Sequence, residues 1–519
     1  MTLSAALRDK EWLARPYWPT YREKAKACQK GLPGLFLRVS REANPEFRDI
    51  VDLISPHICQ WLSAVMEAAF LCREMGRNDA LLAHDLVAAL MDRERRGHLL
   101  SRLAPKRLEP MGRLEAGFRH VARTLSWSRP GTFRRNLFSP RTLAIAHNSL
   151  LVETARGVTD GIGFFHGSHL LDIALKNYGK SLAGKTESVL EFMLPYLSWE
   201  ESFPEWIISA CRDLMAEIIR CFAERAERDL AALSGVPLPG RIWTGTFTPW
   251  VSRAIGLSVL ARQGEVHAFD HGGGVGNNAS GPSHFLHLEI CRYSVFVATS
   301  ALAADMYRKR LLDDGVGKEQ VLAGPGDPSF RAVPRRAIVR QKKKQVVYAP
   351  TVFYGFRQYS LYLLPDPVYM HWQRQVLESL ARMPVTPLFK PHPEGLLRGQ
   401  VNPLSGIVPT STALFENHLQ DGDVFVFDYV HSTTFWKALC GDGAVVLFDL
   451  GTSHVIPEMR ALIEKRARVI NVEFEAGIPV WDANLFSDAI LTASPEDPTP
   501  FRVLCGGEEG NAQWPWPNA

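Results

Sequence analysis

The chain has 519 residues, 46% of them apolar and 22% charged, with a formal net charge of +4 and a mean hydropathy of −0.08. Such a composition excludes disordered and collagen-like classes for most of the length, and the small net charge gives no ground for a nucleic-acid partner. Because a single core rarely grows beyond ~250–300 residues, two or three domains are expected.

Residues 1–135 read as a mostly helical N-terminal region. Met1 to Arg15 mixes charges without an apolar core segment, so no signal peptide is expected. Ile50, Leu53, Ile54, Ile58, Leu62 and Met66 recur at three- and four-residue spacing, the period of a helix. The apolar stretch Leu53 to Cys72 is interrupted by His57, Gln60 and Glu67, which argues against a membrane span. Between Ser101 and Arg141 ten basic residues face only Glu109 and Glu115. That run is either a solvated face or a surface attracted to anionic lipid headgroups, a peripheral membrane contact. The eight cysteines show no CxxC and lie mostly in apolar runs, as in a protein of the reducing cytosol.

Strands and helices then alternate. Thr142–His147 suits a short buried strand, and Val189–Leu233 has helical periodicity. Ile242–Thr246, Val266–Asp270 and Ser294–Ser300 read as strands, with helices over Trp250–Arg262 and Ala301–Leu312. A Pro/Arg/Lys-rich connector, Pro325–Gln345, precedes a second set: strands at Val346–Pro350, Thr386–Lys390, Val424–Asp428 and Ala444–Phe448, and helices at Tyr369–Met383 and Thr433–Leu439. This rhythm implies parallel sheets covered by helices. The expected organisation is a helical region 1–135, a Rossmann-like lobe 136–330, a second Rossmann-like lobe 331–490 and a tail 491–519.

Three segments carry candidate chemistry, each at the C-terminal end of an expected strand, where open α/β sheets bind ligands. The first is Asp270-His271-Gly272-Gly273-Gly274, a carboxylate entering a glycine loop that permits positive φ and close approach to a ligand. Asp270 is there a nucleophile, a base or a turn cap. The second is Lys390-Pro391-His392-Pro393, where flanking prolines fix an imidazole suited to a phosphate. The third is Asp428 followed by Ser432-Thr433-Thr434 at a helix start, a site for an anion or a plain N-cap. Glu153, after the first strand of the first lobe, is either an acid/base or an ordinary helix-face residue.

Other spellings are weaker. Gly274-Val275-Gly276-Asn277-Asn278-Ala279 matches a dinucleotide fingerprint, but Ser280-Gly281-Pro282 interrupts any helix there. Asp421-Gly422-Asp423 precedes its strand and reads as a turn. His166 and His169 lack partners at metal-ligand spacing, so no metal site is expected.

Over residues 240–450 the set resembles bacterial GT-B glycosyltransferases that use CMP-activated sugars, the retaining β-Kdo transferases of capsule and O-antigen synthesis and the bacterial sialyltransferases. Those families share an acidic motif near a glycine turn, an His-Pro motif and a Ser/Thr motif at a helix start. The counterparts here are Asp270, His392-Pro393 and Ser432-Thr433-Thr434, with Phe269 and His271 departing from the usual acidic motif. The resemblance implies a GT-B-like α/β fold and a metal-independent transfer of Kdo or a related acidic sugar to a glycan or lipid-linked glycan. No cofactor is implied beyond the nucleotide-sugar donor, and the setting is the cytoplasm or the inner face of the membrane. In the retaining version Asp270 is the nucleophile, with the leaving phosphate held by His392 and the Ser432 and Thr433 hydroxyls; in the sialyltransferase version Asp270 is the base. A CDP-glycerol-type polyol-phosphate transferase and a catalytically inactive glycan-binding or assembly protein are the competing readings.

Overall fold

A computed structural model describes residues 35–507, apart from 76–84, 101–117, 180–183, 246–248, 274–277, 281–292, 314–320, 336–342, 353–365, 394–403 and scattered single residues and pairs. The described chain forms two compact units. One holds the described residues of Gly31–His271 and His284–Pro325, the other those of Gly272–Ser283 and Gly326–Glu509.

The first lobe is built on six parallel strands: β1 (Thr142–Ala144), β2 (Ile162–Phe164), β3 (Arg241–Thr244), β4 (Glu265–Phe269), β5 (Val295–Ala298) and β6 (Val321–Ala323). Their spatial order is β2-β1-β3-β4-β5-β6. The strands are short apolar runs because helices bury both faces of the sheet, which removes the polar alternation of a half-exposed strand. Ala144, Phe164, Trp243, Phe269 and Val297 meet Leu150, Leu151 and Ala155 in one core cluster. The last three come from helix α2 (Ser149–Gly157).

Helix α1 (Arg48–Met75), from the region expected to be helical, packs on the 30-residue helix α3 (Glu205–Ser234) and on α4 (Trp250–Leu260) of the same lobe. It carries Pro56 in its interior. Proline has no N–H, so the carbonyl four residues earlier, that of Asp52, loses its helical partner. The buried Arg253 of α4 supplies the missing donor, its Nε lying 2.7 Å from the Asp52 oxygen. Arg253→Met is therefore expected to cost about 1–3 kcal/mol, the penalty of a buried acceptor left unsatisfied. The same substitution should cost less in a Pro56→Ala background, where an N–H is restored. Urea unfolding of the four proteins checks this, and equal costs in both backgrounds would refute the pairing.

The second lobe has five parallel strands: β7 (Gln345–Tyr348), β8 (Thr386–Phe389), β9 (Val424–Phe427), β10 (Ala444–Asp449) and β11 (Ala467–Asn471), in spatial order β11-β10-β9-β7-β8. Around it lie helices α5 (Asp366–Arg382), α6 (Thr433–Cys440) and α7 (Pro457–Arg466). Arg466, 2% exposed, sends its guanidinium to the carbonyls of Ala438, Leu439, Gly441 and Gly443, at 2.7–3.2 Å. Helix C-termini leave such carbonyls unpaired, and a cation there opposes the negative end of the dipole. Burial lowers the Arg466 pKa to about 10, which still leaves it charged at neutral pH. Segment Thr499–Gly506, which shows no period in the sequence, forms a helical turn continued by a wider one and joins this lobe. No helix among the described residues is long and apolar enough to cross a membrane.

Candidate functional site

In the second lobe the chain runs outward from β7 to the edge strand β8, then returns to the other side of β7 to begin β9. Connections from β7 and β9 therefore diverge, and the crevice between their C-terminal ends is where open sheets of this kind bind ligands. Ser432–Thr434 lies there, following β9. Ser432 caps α6: its hydroxyl accepts from the Thr434 amide at 3.3 Å and lies 2.5 Å from the Thr434 hydroxyl. Thr433 is exposed. The helix start thus combines three hydroxyls with the positive end of a helix dipole, a receptor for phosphate.

The glycine loop meets this helix start. Gly272 has φ +81°, and a Cβ on it would lie 2.8 Å from Thr433 Oγ1. Gly273, φ +75°, is pressed against Cys505 and Phe330, whose nearest atoms would lie 2.9 and 3.0 Å from a Cβ. Both positions need glycine for conformation and for space. Gly274 lies outside the described residues.

His392 is half-buried just beyond β8, between buried Pro391 and exposed Pro393. Its loop leaves the same C-terminal edge of the sheet as Ser432 does, with β7 between the two strands. Lys390 is 6% exposed, and its ammonium donates to the Pro391 carbonyl at 3.1 Å. Burial lowers its pKa, while the Glu416 carboxylate acts in the opposite sense. Glu416 also pairs with Lys437 of α6. Asp428 is 4% exposed and accepts from Tyr348 Oη (2.6 Å), Tyr369 Oη (2.8 Å) and Trp372 Nε1 (2.9 Å). Burial raises its pKa, and the three donors oppose the shift. These contacts make Asp428 the tie between β7, β9 and α5.

In the first lobe the divergence falls between β1 and β3, and Asn148 stands at it. Its Oδ1 caps α2 by accepting the Leu151 amide at 2.8 Å. Its Nδ2 faces the carbonyls of Gly245 (2.9 Å), Phe269 (3.2 Å) and Asp270 (2.8 Å), so two protons serve three acceptors. One side chain thus fixes the ends of β1, β3 and β4. Asp270 follows β4, is 1% exposed, and takes the Tyr307 hydroxyl on Oδ2 at 2.5 Å. Tyr307 sits on the helix Ala301–Asp313 and is equally buried. Phe269, where the resembling families often carry an acid, is a core residue whose ring centroid lies 4.9 Å from that of Trp243. His271 is exposed, and Glu153 is half-buried on α2 with Arg156 3.6 Å away.

Of the weaker spellings, Asn278–Ser280 forms a strand paired with His454–Val455, and the fingerprint residues 274–277 lie outside the described residues. Asp423 closes the turn before β9, its carboxylate accepting the Gln345 amide at 2.7 Å on the edge opposite the candidate site. Among the described residues no group of three or more His, Cys, Asp or Glu side chains is arranged to hold a metal ion. Residues 101–117 of the basic run and 336–342 of the connector also lie outside the described residues.

Asn148, Tyr307, Arg466 and the Tyr348–Tyr369–Trp372 trio were not singled out by sequence. Only Asn148 left a signal there, an N-cap residue between a strand-like run and an apolar helical one.

No family model and no curated protein matches the chain. Among solved structures it is similar to UDP-N-acetylglucosamine 2-epimerase from Rickettsia bellii, with 10% identity, TM-score 0.37, and 69% of this chain and 88% of that one covered. It is also similar to an alpha,alpha-trehalose-phosphate synthase (UDP-forming) from Burkholderia vietnamiensis, with 9% identity, TM-score 0.31, and 68% and 91% covered. A variant of the wall teichoic acid polymerase TagF aligns with 11% identity, TM-score 0.33, and 78% and 96% covered. The strand orders above give the fold directly: two Rossmann-like lobes with parallel sheets on one chain, a GT-B-like α/β class.

Proposed function

We propose that this protein is a glycosyltransferase that moves an acidic sugar, Kdo or a relative, from a CMP-linked donor to a glycan or lipid-linked glycan of a bacterial surface polysaccharide. The observation that carries the reading is the Gly272 turn set against Thr433 at the start of α6, at the divergence point of the second-lobe sheet. The helix start and its hydroxyls receive the donor phosphate, and His392 donates a hydrogen bond to the departing phosphate oxygen. Lys390 supports the His392 loop through the Pro391 carbonyl. In this scheme the charge on the phosphate is offset by protein dipoles and the imidazole rather than by a metal ion.

In the retaining form the Asp270 carboxylate attacks the anomeric carbon as the bond to CMP breaks and CMP leaves with its electron pair. The acceptor oxygen then displaces Asp270 and passes its proton to a base, a role Glu153 is available for. A second form, direct displacement with Asp270 as base, is favoured by one observation: the carboxylate is buried and already engaged by the Tyr307 hydroxyl. Product stereochemistry separates the two.

The test is incubation with CMP-, CDP-, UDP- and GDP-linked donors, scoring nucleotide release and product mass. Release is expected from a CMP-sugar and is expected to fall at least about 100-fold in His392→Ala, in the range of general acid loss. A product that gains phosphorus would instead establish polyol-phosphate transfer. Failure of every donor to bind or react would leave only a glycan-binding or assembly role.

A further inference from the structure

The helical residues 120–126 lie on the edge strand β2 with their polarity reversed. Thr124, fully buried, accepts the Phe164 amide on its hydroxyl at 3.1 Å, and the Arg123 guanidinium lies 4.8 Å from the centroid of the Phe164 ring. The protein-facing side of this helical segment is thus polar and cationic. Phe118, Val121 and Leu125, spaced i, i+3, i+7 and so on one stripe, are 77%, 43% and 56% exposed. The adjoining helix Phe133–Phe138, tied to the segment by Asn136 Nδ2 donating to Ser128 Oγ at 2.9 Å, adds Phe138 at 74% exposure. Of the ten large apolar side chains exposed among the described residues, four therefore fall within 118–138. A surface helix ordinarily turns its apolar stripe inward; one that turns it outward exposes surface that favours a cover.

We propose that this face docks the first lobe onto an anionic lipid surface. Charge selects the occupant. Arg134, one helical turn before Phe138, and Arg141 are exposed, and the sequence over 101–141 has ten basic residues against two acidic ones. A second copy of the chain in a two-fold contact would bring these cations onto one another, which disfavours self-association. A bilayer with anionic headgroups meets both needs, taking the aromatic and aliphatic side chains at the acyl boundary and the guanidiniums at the phosphates. The proposal stands apart from the transferase reading and does not depend on it.

The test is co-sedimentation of the full chain with phosphatidylcholine vesicles with and without phosphatidylglycerol. Binding is expected only with phosphatidylglycerol, and weaker at about 1 M salt, where the screening length is about 3 Å. The triple variant Phe118→Ser, Leu125→Ser, Phe138→Ser and the double variant Arg134→Glu, Arg141→Glu should each bind at least about tenfold more weakly, with thermal unfolding unchanged because all five side chains are exposed. Retained binding in both variants, equal binding to neutral vesicles, absence of binding by the native chain, or a concentration-dependent dimer that the triple variant abolishes would each overturn the proposal.

Discussion

Between pH 6.5 and pH 4.5 the first lobe is expected to lose about 5 kcal/mol of stability through two buried histidines, His57 and His267. His57 is held at a pKa of about 3, first by burial and then by the Arg225 and Arg253 charges. Its ring stacks on Phe222 and tilts against Trp250, with centroids 5.5 and 5.3 Å away. His267 is held at about 4 by burial and by Arg241, with Glu265 opposing. Both folded values lie below the unfolded 6.5, so the native state takes up protons less readily than the unfolded chain. Their contribution is present above pH 6.5 and is lost as the pH falls toward 4 for His267 and 3 for His57. At pH 4.5 each accounts for about 2–3 kcal/mol by that linkage. Asp428 in the second lobe works the other way, since its raised pKa favours the folded state in acid. Urea midpoints of the native chain and of His57→Leu, measured from pH 7 to 4.5, isolate the first effect. The variant should lose about half the acid sensitivity, and parallel curves would contradict the assignment.

Arg466→Met is expected to cost about 3–5 kcal/mol, as when one partner of a buried charged network is removed. The guanidinium gathers four carbonyls at the end of α6, of which that of Ala438 also accepts the Gly441 amide. Arg466→Lys should recover little, because a single ammonium on a flexible stem does not span the same fork. If the start of α6, capped by Ser432, receives the donor phosphate as proposed, loosening its far end should also raise the donor KM more than it lowers kcat. Chemical denaturation with donor kinetics reads both effects. A loss under about 1 kcal/mol would show that the carbonyls find other partners.

Much of the fold was legible from local pattern. The strands expected at Val266–Asp270, Thr386–Lys390 and Val424–Asp428 appear at Glu265–Phe269, Thr386–Phe389 and Val424–Phe427. Each is a compact apolar run bounded by a polar or turn residue, which is the signal a buried parallel strand leaves. Strands β2 and β6 escaped because each is three residues beside glycines with no longer apolar run, unlike β1, whose apolar run extends to Ala146, and β11 because Arg468 and Asn471 break its apolar run. Within the candidate site the helix start at Ser432 and the glycine turn were readable, since capping and positive φ are local properties. Their meeting at Thr433 was not, because some 160 residues separate them in sequence and only folding brings them together. Asn148 reaches Asp270 across 122 positions and Tyr307 reaches it across 37, so neither contact has a sequence spacing to betray it.

The proposed function requires that the start of α6 receives the phosphate of a nucleotide donor. Its most direct test is calorimetric titration of CMP into the native chain and into Thr433→Val, which exchanges a hydroxyl for a methyl at nearly constant volume. Binding is expected for the native chain, with about tenfold or greater weakening in the variant, the worth of a hydrogen bond to a charged group. Equal CMP affinity in the two proteins, or no nucleotide binding by the native chain, would contradict it.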